Sequence, residues 1–207
     1  MSSKWELRSA FLIIAALASV AAAETQIGVP LGPQISEAFG ATETYGQTVV
    51  VPHADYQLDS FSFMVRGRVS FDFRAYAMQW DGTKATGVPL FQSEVRTITI
   101  TNDFIPQAFS FSPVELVPDS QCVLFFNVRD LNYNAGTSRA QFAGVGNDPY
   151  PAGRFVYTNT DVTLPAWNIT QAPDFDTSFS AHFVPEPSLG AVVAGIAFVA
   201  ARRRSKP

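Results

Sequence analysis

A single cysteine, two histidines and a charged fraction of only 15% set the first limits on what this chain can do. With Cys122 alone, neither an intramolecular disulfide nor a thiolate metal cluster can form. Cys122 lies in the apolar run Gln121-Cys122-Val123-Leu124-Phe125-Phe126, which reads as a buried, inert thiol rather than a nucleophile. His53 follows Val51-Pro52 at a strand end, and His182 falls on the polar face of the last strand; both read as exposed or edge histidines. No two-histidine metal spacing, no Gly-x-Ser-x-Gly elbow and no phosphate-binding glycine loop occurs. A nucleophile cannot be named without a base to activate it. The expectation is a protein that is not an enzyme and carries no cofactor and no metal. Asp174 with Asp176, and Asp55 with Asp59, offer carboxylates on shared faces, but calcium needs six to eight oxygens, so these read as solvated acids. A secreted hydrolase stays open as a distant alternative, whose mark would be a deep cleft with two facing carboxylates.

Long helical periodicity is also missing from the body of the chain, where Ser36 to Phe39 makes one helical turn at most. Residues 24–184 hold sixteen acids and eight bases, a formal charge of −8, which speaks against a nucleic-acid partner. What is abundant is phenylalanine, with eighteen copies, arranged at period two. Val69, Phe71, Phe73, Ala75 and Ala77 alternate with Ser70, Asp72, Arg74, Tyr76 and Met78. Phe175, Thr177, Phe179, Ala181 and Phe183 alternate with Asp174, Asp176, Ser178, Ser180 and His182. Side chains alternate faces along a strand, so each run places aromatics on one side and polar groups on the other. Cys122 to Val128 is almost wholly apolar and predicts a central strand buried on both faces.

Nine or ten strands are expected among the segments near 26–29, 47–51, 57–65, 68–79, 89–92, 94–101, 107–111, 121–128, 139–144, 153–158 and 175–183. Arg66-Gly67-Arg68 suits a tight hairpin joining Leu58–Val65 to Val69–Gln79, Asp81-Gly82 and Ala135-Gly136 mark further turns, and 147–151 is a stiff proline-bearing loop. Strands recurring about every ten residues predict an all-β fold, a single antiparallel β-sandwich over residues 24–184.

The two ends differ from this body. Lys4 and Arg8 precede an apolar run from Ala10 to Val20, and Ala21 and Ala23 frame a small-x-small cleavage site before Glu24, so residues 1–23 read as a signal peptide. At the other end stand Pro185-Glu186-Pro187, then the uncharged Leu189 to Ala201, then Arg202, Arg203 and Arg204. The thirteen apolar residues span roughly 20 Å as a helix, which snorkelling arginines and local thinning extend toward a full crossing. Residues 185–207 therefore read as a single transmembrane helix with a basic cytoplasmic stop, leaving the body outside.

Pro185, Glu186 and Pro187, the apolar run and Arg202 to Arg204, in that order, resemble the PEP-CTERM sorting signal of Gram-negative bacteria. The resemblance implies an exosortase substrate: export with help from signal peptidase, anchoring of a precursor in the inner membrane, then cleavage near Pro-Glu-Pro by an exosortase-like membrane protease. The mature form would be periplasmic, at the cell surface or extracellular, and such tails accompany exopolysaccharide and biofilm matrix. The stretch from Tyr45-Gly46-Gln47-Thr48 to Tyr76-Ala77-Met78-Gln79-Trp80-Asp81-Gly82, with Gly87 to Ser93, is similar to β-sandwich bodies that recur with such tails, which implies a jelly-roll-like fold and no assigned activity. The leading expectation is a non-enzymatic exported surface or extracellular-matrix protein. The alternative is a carbohydrate-binding module for exopolysaccharide, because Trp80, Trp167, Tyr76, Tyr133 and Tyr150 fall in or beside predicted loops and polar faces, where rings with nearby Asp, Asn or Gln can hold sugars. A tryptophan at a sandwich corner can equally plug the end of the core.

Overall fold

A computed structural model describes residues 24–38, 42–131, 140–165, 167–168 and 174–186, apart from the side chains of Gln34, Glu37 and Ala38. The described chain is all-β. In order the strands are β1 (Thr25–Val29), β2 (Gln34–Ala38), β3 (Thr44–Val50), β4 (Gln57–Gly67), β5 (Phe71–Trp80), β6 (Ala85–Gln92), β7 (Arg96–Ile98), β8 (Ile105–Glu115), β9 (Gln121–Asn127), β10 (Ala140–Gly146), β11 (Arg154–Thr158), β12 (Phe175–Thr177) and β13 (Phe179–Val184). One sheet has the order β1-β13-β4-β10-β12, with β2 also on β10 and β8 also on β4. The other has the order β11-β3-β9-β5-β6, with β7 also on β5. Every strand pair is antiparallel.

The period-two pattern produces this layering directly. Phe61, Phe63 and Val65 of β4 are buried, while Ser60, Ser62 and Met64 between them are only half-buried. Phe71, Phe73 and Ala75 do the same on β5. These inward rings meet at Phe126 of β9, whose ring centroid lies 4.6 Å from Phe73, 5.1 Å from Phe63, 5.5 Å from Phe142 and 5.6 Å from Phe109. Phe73 and Phe126 belong to one sheet and Phe63, Phe109 and Phe142 to the other, so the ring cluster joins the two. Strand β9 lies between β3 and β5 and is buried on both faces, as its uninterrupted apolar sequence predicts. Its outer face carries a second cluster of Met78, Trp80, Val123, Phe125, Val156 and Trp167.

The structure departs from the sequence pattern in three places. Arg66-Gly67-Arg68 is not a hairpin turn, because β4 belongs to one sheet and β5 to the other. The chain crosses the sandwich there, so that the phenylalanines of both strands face the same core. Residues 34–38 form β2 against β10 rather than a helical turn. The alternating run 175–183 breaks at Ser178, whose N–H bonds to Ala143 (2.7 Å) and whose carbonyl accepts from Met64 (3.0 Å). Strand β12 before it pairs with β10, and β13 after it pairs with β4. Asp176, expected in solvent, is buried where Gln47 and the Tyr150 N–H donate to it; Asp174 stays exposed. The Asp81-Gly82 turn forms as expected, with Asp81 Oδ1 accepting from the backbone N–H groups of Thr83 and Lys84. Gly82 has a φ of 98°. The turn expected at Ala135-Gly136 lies outside the described residues.

Candidate functional site

Among the described residues, polar side chains come together at several places. The first is where the two ends of the body meet. Strand β1 pairs with β13 in the register Thr25↔Phe183, so residue 24 and residues 184–186 emerge at one end of one sheet. His182 is held there between two carboxylates. Its Nδ1 lies 2.8 Å from Asp59 Oδ1 and its Nε2 lies 3.1 Å from Glu24 Oε2. The bond to Asp59 is the main cause that raises the imidazole above its ordinary value, with Glu24 adding to it, so the two carboxylates favour protonation of the ring. His182 is thus neither exposed nor on an edge strand, because β13 lies between β1 and β4. Ser60 donates to Asp59 Oδ1 (2.9 Å), and Thr25 donates to the buried Asp55. Tyr56 donates its hydroxyl to Glu186, which pushes the phenol up to about 12. Residues 55–60 therefore bind both ends of the body.

Of the expected processing residues, Pro185 is half-buried and Glu186 exposed. Pro187, Arg202, Arg203, Arg204, Ala21 and Ala23 lie outside the described residues, as do both terminal segments read as signal peptide and membrane helix.

The second place is a groove of about 250 Å³ on the outer face of the β5–β9 sheet. Cross-strand pairing sets Arg74 opposite Asn127 and Tyr76 opposite Phe125. Tyr76 stacks on Phe125 with centroids 4.9 Å apart and planes 10° from parallel. Arg129, Asp130 and Asp161 form the charged rim. Asp161 accepts from the N–H (2.9 Å) and the hydroxyl (2.7 Å) of Thr163, which with Arg129 nearby holds its carboxyl below the usual range. Asn127 is buried and already committed, donating to Thr44 and accepting from the N–H of Arg129.

The aromatic residues proposed from sequence for ligand binding divide sharply. Tyr76 borders the groove. Trp80 and Trp167 are each 7% exposed and pack edge-to-face at 5.4 Å. The Trp167 indole N–H donates to the carbonyl of Val162. They close the outer cluster rather than present open ring faces. Tyr150 accepts the N–H of Val50 at its hydroxyl (3.0 Å) and packs against Phe179, pinning the 147–151 loop. Tyr133 lies outside the described residues. His53 is exposed and pairs with Asp119 at 2.7 Å. Cys122 is fully buried, and burial pushes its thiol up to about 12, out of reach of nucleophilic chemistry at neutral pH. The sequence reading missed the groups around the groove. Arg74 and Tyr76 are visible as alternate residues of β5, but nothing local ties them to Asp161, which is 85 residues further along.

No protein-family model and no curated protein matches this chain. Among solved structures, it is similar to the clostridial cysteine protease Cwp84 after propeptide cleavage, at 10% identity and a TM-score of 0.54. The match covers 79% of this chain and 40% of that one. A structure of the cysteine protease and lectin-like domains of Cwp84, a surface layer associated protein of Clostridium difficile, matches at 10% identity, with a TM-score of 0.48, over 70% of this chain and 32% of that one. This chain thus spans less than half of either, and the likeness to the first is one of fold.

Proposed function

We propose that this chain is a non-enzymatic exported surface or extracellular-matrix protein, a jelly-roll-like β-sandwich delivered through a cleavable C-terminal sorting tail. In this reading signal peptidase releases residues 1–23, and residues 185–207 hold the precursor in the inner membrane until an exosortase-like protease cuts near Pro185-Glu186-Pro187. The observation that carries the reading is the pairing of β1 with β13: among the described residues, every strand of both sheets lies between Thr25 and Val184. Removing both terminal segments would then take no strand from either sheet. The ends of the body share one rim, where Glu186 is exposed. The side chains most able to act as nucleophile or base also support a passive body. Cys122 is buried, and both ring nitrogens of His182 are taken by carboxylates.

Terminal-peptide mass spectrometry of the protein recovered from its own host, with cells and medium kept apart, tests this. The expected mature form starts at Glu24, ends near Pro187 and lies outside the inner membrane. An intact C-terminus at Pro207 in the membrane fraction would remove cleavage from the account and leave a permanently anchored protein.

A further inference from the structure

We propose that the groove on the outer face of the β5–β9 sheet is a binding site for a neutral, hydroxyl-rich saccharide, one or two residues of a longer glycan. This proposal does not depend on the sorting tail. It rests on what the groove leaves unspent. Arg74 is half-buried and makes no hydrogen bond or ion pair among the described residues, so a planar fork of five donors faces the groove with nothing to bind. The Tyr76 hydroxyl likewise has no partner there, although its ring is fixed by stacking on Phe125. Asp130 is exposed on the rim and makes no contact with a donor among the described residues, while Asp161 spends one carboxylate oxygen on Thr163. Arg129 pairs with Glu43 at a long 3.9 Å through Nε, and its charge also acts on Asp161.

The groove therefore offers free donors and free acceptors side by side. Its charges balance, with Arg74 and Arg129 against Asp130 and Asp161. A carboxylated or phosphorylated ligand would meet two aspartates in a body that is already acidic. A cationic ligand would meet two arginines. An uncharged ligand whose hydroxyls both donate and accept can satisfy all four without a charge conflict. Pro89 is exposed in the lining and the Tyr76 ring half-buried, so these two suit the C–H face of a pyranose, while Met78 and Phe125 lie buried beneath them. At about 250 Å³ the groove is just smaller than sites that hold drug-sized molecules, and its rim is exposed, so a chain can continue out of it.

The groove is also built to stay open. Asp161 and Thr163 close a local turn, and Trp167 anchors the same segment through its bond to Val162 and its packing on Trp80. One wall is thus fixed to the sheet before any ligand arrives, which lowers the ordering cost of binding.

The test is titration calorimetry and saturation-transfer NMR of the full chain with cello-, malto-, manno- and galacto-oligosaccharides, with oligogalacturonate as the acidic comparison. Saturable binding of at least one neutral series is expected, weakened about tenfold or more by Arg74→Ala and by Tyr76→Ala. Arg74→Ala removes no bond from the fold, so it decides the matter if Tyr76→Ala does not fold. Absence of binding to every neutral series at millimolar concentration would overturn the proposal. So would binding that Arg74→Ala leaves unchanged, or a preference for oligogalacturonate.

Discussion

Asp176 shows how this body handles a buried charge. Gln47 Nε2 donates to its Oδ1 (2.6 Å), and the backbone N–H of Tyr150 donates to its Oδ2 (3.0 Å). Gln47 in turn accepts from the N–H (3.1 Å) and the hydroxyl of Thr177. Burial raises the Asp176 carboxyl, and these two donors oppose that rise. Replacing Asp176 by alanine takes the main acceptor from the buried Gln47 amide and from the part-buried Tyr150 N–H, so Asp176→Ala is expected to lose about 1–3 kcal/mol. A urea-unfolding midpoint equal to that of the parent would contradict this. His182 gives the opposite sign of pH dependence to most carboxylates. Its folded-state value is raised above 6.5, chiefly by Asp59, so protonation favours the folded rim. The contribution is full below pH 6.5 and disappears as pH rises through the folded value. Thermal unfolding of the parent and of His182→Ala should therefore differ most in mildly acidic buffer and converge as the pH is raised. A difference that grows with pH would exclude the imidazolium clamp between Asp59 and Glu24.

At the scale of elements, the strands that end each sheet and the strands at its centre follow different rules. Strand β8 contains Pro106 and Pro113, which a central strand cannot hold, and among the described residues it pairs only with β4, as an edge strand does. Strand β3 lies inside its sheet and needs Gly46 opposite Phe125. A Cβ at Gly46 would lie 2.6 Å from the carbonyl oxygen of Leu124 and 2.7 Å from Cβ of Phe125. Neither neighbour is the far end of a flexible side chain, so the β3–β9 pair would have to separate. Gly46→Ala is expected to cost about 1–3 kcal/mol, measured as a lower denaturation midpoint with the strand content retained by circular dichroism. Full stability would mean that β3 and β9 are less closely paired than described. This demand is invisible in the Tyr45-Gly46-Gln47 sequence, because it comes from a strand 75 residues away.

For the whole molecule, a body of this size without a disulfide depends on its ring cluster. Phe126 is fully buried and touches rings from both sheets. Phe126→Ala opens a cavity between the two layers and is expected to cost about 3–5 kcal/mol, a large part of the stability of a typical domain. Unfolding followed by tryptophan fluorescence is suited to the measurement, since Trp80 and Trp167 sit on the opposite face of β9 and report when that sheet separates. A loss below about 1 kcal/mol would mean that the two layers do not depend on this contact.

Sequence alone determined the local quantities. Strand character, the inward face of β4 and β5, the burial of β9 on both sides and the inert state of Cys122 all follow from period two and from apolar runs, because a strand's pleat fixes which residues share a face. Which strand lies beside which was left to the tertiary structure. The same alternation serves a hairpin and a crossing between sheets, so Arg66-Gly67-Arg68 read as the former and is the latter. Gln47 and the loop at Tyr150 take Asp176 from solvent to interior, and local alternation carries no signal for it. The groove and the His182 clamp join residues from distant parts of the chain. Hydrophobic periodicity says which way a side chain points, and only the packing of the two sheets decides what it meets.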